Sequence, residues 1–198
     1  MTTFILASQS QARAALLKAA GYRFRQIPSE IEEPEPAEGT HLERYVMDLA
    51  SLKAWAVAER YPKAIVIGAD TALILGRRII GKPDSLAGAV RMLGDLCGRT
   101  HRISSAACII VPAGSRNGRR RVIHITDTAH VRLRDWATPR IRAFVNQTRP
   151  LAWAGAYAVQ DPRSAAIVER IDGDLATVIG LPQEKLDRIL KQIDPSAT

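Results

Sequence analysis

The sequence predicts an α/β protein, a mixed sheet flanked by helices, and three observations carry that prediction. Short apolar runs that read as strands alternate with segments whose apolar residues recur at helical spacing. The longest apolar run, 64–75, is a strand interrupted by Asp70, too short for the ~20 residues that span a bilayer. Forty-six percent of the chain is apolar and 24% charged, enough to build a core. At 198 residues one domain over 1–198 is expected.

The elements follow in order. Residues 4–7 form a strand. Ser8 and Ser10 then open a helix carrying Ala14, Leu16, Leu17 and Ala20, which Gly21 stops. Residues 22–27 read as a second strand ended by Pro28. A loop follows, with five glutamates between Glu30 and Glu38 and with Pro34 and Pro36. Thr40-His41-Leu42-Glu43 has the pattern of a capping box, opening a helix to about Arg60. The strand at 64–75 turns at Gly76-Arg77-Arg78 into Ile79 and Ile80. Asp84 or Ser85 caps a third helix with Leu86, Val90, Leu93 and Cys97 on one stripe, and Gly98 ends it. Residues 103–111 and 122–133 read as strands joined through Asn117-Gly118, a strong hairpin signal. Thr138 as cap with Pro139 in the first turn starts another helix. Residues 151–160 are a small-residue stretch, 165–171 is strand or helix, and Leu181-Pro182 precedes a last helix with Leu186, Ile189, Leu190 and Ile193.

Charge and cysteine content narrow the function. The net charge of +8 favours polyanionic partners without choosing among them. Cys97 and Cys108 are too few for a disulfide framework and read as small core residues. The N-terminal stretch has no basic leader pattern, so a cytoplasmic chain is expected, with no membrane attachment. His41, His101, His124 and His130 lack metal-ligand spacing, and the glycine signatures of P-loop and dinucleotide-binding folds are missing. Arg119, Arg120 and Arg121 read as a solvated tip. With aromatics at 5%, no stable nucleic-acid partner is expected. Trp55, on the polar face of its helix, hints at an interface.

Two residues sit where a core would not place them, and the acidic loop adds a third candidate. Leu42, Val46, Leu49 and Ala56 share one helix face at about 100° per residue, and Lys53 falls in its middle. Two readings are open: the ammonium snorkels outward, or it points at an anion in a cleft. Asp70 lies in an apolar run, and two readings are open: the strand breaks there and Asp70 is a solvated bulge residue, or the buried carboxylate has a partner, in a plain ion pair or a polyphosphate-and-metal site. The turn near Gly76 would bring Lys82 opposite Asp70 and Thr71 within a residue or two of register. Glu33 is either a solvated loop residue or a second carboxylate for a hard cation beside phosphate oxygens.

The segments together resemble one family. Leu6-Ala7-Ser8-Gln9-Ser10-Gln11-Ala12-Arg13 resembles the Leu-Ala-Ser-x-Ser-Pro-Arg-Arg signature of the Maf-like nucleotide pyrophosphatases. Gly68-Ala69-Asp70-Thr71, Gly81-Lys82-Pro83, Gly98-Arg99-Thr100-His101, the run from Ala154 to Gln160, and Gly180-Leu181-Pro182 follow in the family's order. The resemblance implies an α/β fold of the Maf and inosine-triphosphatase kind, with a long curved mixed sheet and two lobes around a central cleft. It also implies a nucleoside triphosphate pyrophosphatase using a divalent cation, Mg²⁺ or Mn²⁺, and often a homodimer. By motif position Asp70 is the catalytic carboxylate and, with Glu33, a metal ligand. Ser8, Arg13, Glu33, Lys53 and Lys82 would bind the phosphates. Ala12, Thr71 and Gln160 take the positions that set base choice, where threonine with glutamine is similar to the branch acting on dTTP and UTP. The chain departs from the signature at Gln11-Ala12, and Asp161 replaces a usual glycine, which leaves modified nucleotides open as substrates beside dTTP and UTP. The rival readings are a catalytically weakened nucleotide-binding regulator and a basic nucleic-acid-binding module.

Overall fold

The computed structural model describes residues 3–34, 36, 40–113 and 119–195. Among them the backbone forms a mixed seven-stranded sheet with helices packed on it. The elements are β1 (Phe4–Ala7), α1 (Gln11–Ala19), β2 (Phe24–Gln26), α2 (Leu42–Arg60), β3 (Ile65–Leu75), β4 (Arg78–Ile80), α3 (Leu86–Leu96), β5 (Thr100–Val111), β6 (Arg121–Leu133), α4 (Thr138–Thr148), β7 (Val168–Asp172), α5 (Leu175–Ile179) and α6 (Gln183–Ile193). The strand order is β2-β1-β3-β5-β6-β7, with β4 paired to β3. β1 runs parallel to both neighbours, as the helical connections through α1 and α2 require. No helix among the described residues is long and apolar enough to cross a membrane.

The chain divides into two compact units. The first comprises residues 1–71, 105–127 and 180–198. Its core joins Phe4, Leu6, Ile65, Ile67, Ala69, Ala107 and Ile109 of the sheet to Leu17 of α1 and Leu186 and Leu190 of α6. Because strand side chains alternate, Val66, Gly68 and Asp70 face the other side of β3. The second unit comprises residues 72–104 and 128–179. Its core gathers Leu93 and Leu96 of α3, Ile141, Phe144 and Val145 of α4, and Val131 and Leu133 of β6.

Several local expectations change. The Thr40 capping box does not form: His41 occupies the cap position without a side-chain bond, and Glu43 lies 3.1 Å from His41 Nδ1 instead of turning back on the cap. Thr138 is the first helical residue rather than the cap, which is Ala137, and Pro139 keeps its place in the first turn. Ser85 does cap α3, accepting from the Gly88 N–H at 3.0 Å. The ambiguous segment before Asp172 is a strand, β7, antiparallel to β6. The Asn117-Gly118 turn lies outside the described residues, as does part of the acidic loop.

Candidate active site

The site in the first unit begins where β1 gives way to α1. Ser10 caps the helix, its Oγ accepting from the Arg13 N–H at 3.3 Å. Ser8 Oγ accepts from the Ser10 N–H at 3.1 Å, which folds the polar turn over the end of β1. Gln26 of β2 holds the outside of that turn, its Nε2 donating to the carbonyls of Ser8 at 2.9 Å and Ser10 at 3.3 Å. Ala12 sits half-buried in the first turn of α1. Arg13 reaches across: Nε donates to the Gly180 carbonyl at 3.0 Å, Nη2 to Thr71 Oγ1 at 3.0 Å, and Nη1 to Ser8 Oγ at 3.4 Å. Burial pulls the guanidinium below its ordinary pKa while Asp70 and Glu33 act to raise it. It remains a cation at any working pH.

The opposite face of β3 holds the second half of the site. Lys53 and Asp70 are each 8% exposed. Lys53 Nζ donates to Asp70 Oδ1 at 2.5 Å and lies 2.8 Å from Glu33 Oε1. The ammonium of Lys53 does not snorkel out; the anionic groups it meets are the two carboxylates. Two charges this deep persist only because each compensates the other. Burial raises the Asp70 carboxyl above the ordinary carboxylate range; Lys53 and Arg13 oppose that shift and Glu33 reinforces it.

Gly68 makes the pairing reachable. A Cβ there would stand 2.3 Å from the Ala50 carbonyl oxygen and 2.5 Å from the Ala54 nitrogen. Only a glycine lets the backbone of α2 press so closely on β3. Lys53, beside Ala54, is thereby carried to the residue two places along the strand from Gly68.

The other expected site residues lie in the second unit. The β3–β4 ladder pairs Leu75 with Arg78, Ile74 with Ile79 and Leu73 with Ile80, and goes no further. Lys82 is exposed, two residues past its end, and the cation bonded to Asp70 is Lys53. Gln160 is exposed as well. Its neighbour Asp161 is bonded to Arg163 through both side chains, at 2.6 Å for Nη2 to Oδ2, which lowers its pKa. The departure at Asp161 thus brings its own countercharge. Arg120, expected on a solvated tip, stacks over Trp55 at 5.5 Å and donates to the Ala58 carbonyl at 3.1 Å, so both are engaged with α2.

Three features had no sequence signal: the grip of Gln26 on the serine turn, the carbonyl of Gly180 as an arginine acceptor, and Ser105. The last is a buried hydroxyl on β5 lying 2.8 Å from Thr71 Oγ1. Periodicity makes Ser105 one more inward position of a strand, and only the fold brings it to Thr71.

Comparison with known proteins places this geometry in context. A family model described as Maf-like protein matches residues 3–193. A protein of Aquifex aeolicus named dTTP/UTP pyrophosphatase is 38% identical over 191 residues, 96% of this chain and 95% of that protein. One of the same name from Bacillus cytotoxicus is 35% identical over 198 residues, 100% of this chain and 99% of its own. A solved nucleoside-triphosphatase / dITP/XTP pyrophosphatase from Mycobacterium abscessus aligns over 96% of this chain and 95% of its own at 14% identity, with a TM-score of 0.46.

Proposed function

The chain belongs to the Maf-like protein family, and on that premise we propose that it is a nucleoside triphosphate pyrophosphatase. Its substrates are dTTP and UTP, and it cleaves between the α and β phosphates to release a nucleoside monophosphate and pyrophosphate. The observation that carries this reading is the buried Asp70–Lys53 pair, joined at Lys53 by the half-exposed Glu33. A stability-driven core gains little from two carboxylates and an ammonium, whereas hydrolysis of a highly charged anhydride uses all three.

A nucleoside triphosphate brings about four negative charges that must be offset before water can approach phosphorus. Lys53 and Arg13 supply positive charge from the first unit, and the turn at Ser8 and Ser10 sets backbone N–H groups at the start of α1. Asp70 takes the proton of the attacking water; its raised pKa makes the carboxylate a stronger base than an exposed aspartate.

The donor set also fits a divalent cation. Asp70 Oδ1 and Glu33 Oε1 already converge on one cationic centre, the Lys53 ammonium. No group of three or more His, Cys, Asp and Glu residues that could hold a metal occurs among the described residues. Such a set suits Mg²⁺ or Mn²⁺, which complete their shells with phosphate oxygens and water. When bound, the ion would offset phosphate charge and acidify a coordinated water.

Lys82 as a phosphate cation, and Ala12, Thr71 and Gln160 as determinants of base choice, rest on the family motifs. A homodimer rests on the same resemblance, and sedimentation of the purified protein tests it; the cytoplasmic reading rests on the N-terminal pattern and the two cysteines. Activity is tested by assaying pyrophosphate release from a panel of triphosphates, with and without Mg²⁺. Metal-dependent release strongest with dTTP and UTP supports the proposal. Tight binding with no hydrolysis of any triphosphate would establish a regulator instead.

A further inference from the structure

We propose that Ser105 is a positioning residue for the Arg13 guanidinium, acting through Thr71, an inference that rests on the pyrophosphatase reading above. Thr71 Oγ1 is crowded: Arg13 Nη2 donates to it at 3.0 Å, Ser105 Oγ lies at 2.8 Å, and the Gly180 carbonyl lies at 3.3 Å. A threonine hydroxyl has one proton and two lone pairs. The proton goes either to the Gly180 carbonyl, with Ser105 donating to Thr71, or to Ser105 itself. In both arrangements it is spent inside the protein and one lone pair is held by Arg13. Thr71 therefore has no proton left to donate to a nucleotide base. Besides any lone pair it offers a base, it acts on the substrate through what it holds.

What it holds is Arg13. Three of the five N–H bonds of that side chain go to neutral oxygens, those of Gly180, Thr71 and Ser8. No carboxylate is among these acceptors, so the charge is oriented without being neutralised, and among the described residues two N–H bonds remain for an anion. Gly180 closes the fit from the far side. Its φ is +142°, and a Cβ there would stand 3.2 Å from Arg13 Nε. Ser105 is wholly buried on β5, and its hydroxyl braces Thr71 from the strand side. Without it Thr71 is held only by the longer contact to the Gly180 carbonyl and by Arg13 itself, and one of the three bearings of the guanidinium is loosened.

The test compares steady-state pyrophosphate release from dTTP by the wild-type protein and by Ser105→Ala, Ser105→Cys and Ser105→Thr. Alanine and cysteine should raise KM for dTTP about five-fold, the value of one lost hydrogen bond, with kcat changed less than about two-fold. Threonine, which restores the hydroxyl, should return KM to the wild-type value. In a Thr71→Val background, Ser105→Ala should have no further effect. Cysteine nearly fills the serine volume, so it gives an answer even where the alanine variant folds poorly. An unchanged KM in both variants, or a loss that threonine does not rescue, overturns the role of Ser105 while leaving the pyrophosphatase reading intact. A wild-type protein that releases no pyrophosphate from any triphosphate overturns both.

Discussion

Replacing Lys53 with methionine keeps the length of the side chain and removes the ammonium that Asp70 and Glu33 share. Glu33 has half its side chain exposed and is reclaimed by water, so the cost falls on Asp70, whose side chain is 12% exposed. Breaking a buried ion pair from one side costs about 3–5 kcal/mol. An independent ceiling comes from protonation, since a stranded carboxylate escapes by taking up a proton. From the ordinary value of 3.8, holding that proton at pH 7 costs 3.2 pH units, or about 4 kcal/mol. At pH 5 the ceiling falls to about 1.6 kcal/mol. The sign follows from linkage. In the variant the folded-state pKa of Asp70 rises further above its unfolded value, so stability is lost as pH rises and regained as it falls. Urea unfolding should therefore show Lys53→Met destabilised by about 4 kcal/mol at pH 7 and by less than about 2 kcal/mol at pH 5. Adding Asp70→Asn should recover most of the loss. A penalty independent of pH, or one that the second substitution deepens, would refute a buried charge pair as the reason the two residues meet.

Two further predictions rest on packing and titration. Gly68→Ala places a methyl 2.3 Å from the Ala50 carbonyl oxygen. It should lower stability by about 1–3 kcal/mol and activity more steeply, because α2 must retreat and take Lys53 with it; wild-type melting and turnover would show that the close approach is dispensable. His101 is buried against Tyr157, its Nε2 2.7 Å from the phenol oxygen, and burial lowers its pKa from 6.5 to about 4. The unfolded chain takes up that proton first, so stability present above pH 6.5 is lost as pH falls towards 4, by about 3 kcal/mol in all. His101→Phe should flatten the melting temperature over that interval, and an unaltered slope would contradict the assignment.

The parts of the fold and site that were legible in the sequence are those fixed by local chemistry. β1 falls on its expected residues 4–7, and α2 runs from Leu42 to Arg60 as its spacing requires. Ser10 and Ser85 cap their helices because a serine oxygen needs only the N–H three residues on. The misplacement of Lys53 and Asp70 was visible as two charges in apolar patterns, and those two residues bond to each other. What failed depended on choices that several local patterns satisfy equally. Thr40 and His41 compete for one cap, and the pairing of His41 with Glu43 removes the acid that the box needs. The five-residue α5 is too short for periodicity to reveal. Ser105 and Gln26 reach the site only through strand neighbours distant in the chain, a relation no spacing encodes.

The most direct measurement is the product balance of dTTP hydrolysis with Mg²⁺ by the wild-type protein and by Asp70→Asn, the latter shown to be folded by circular dichroism. The account predicts equal amounts of thymidine monophosphate and pyrophosphate from the wild-type protein and none from the variant. Turnover retained by a folded Asp70→Asn protein, or release of orthophosphate with the diphosphate, would contradict it.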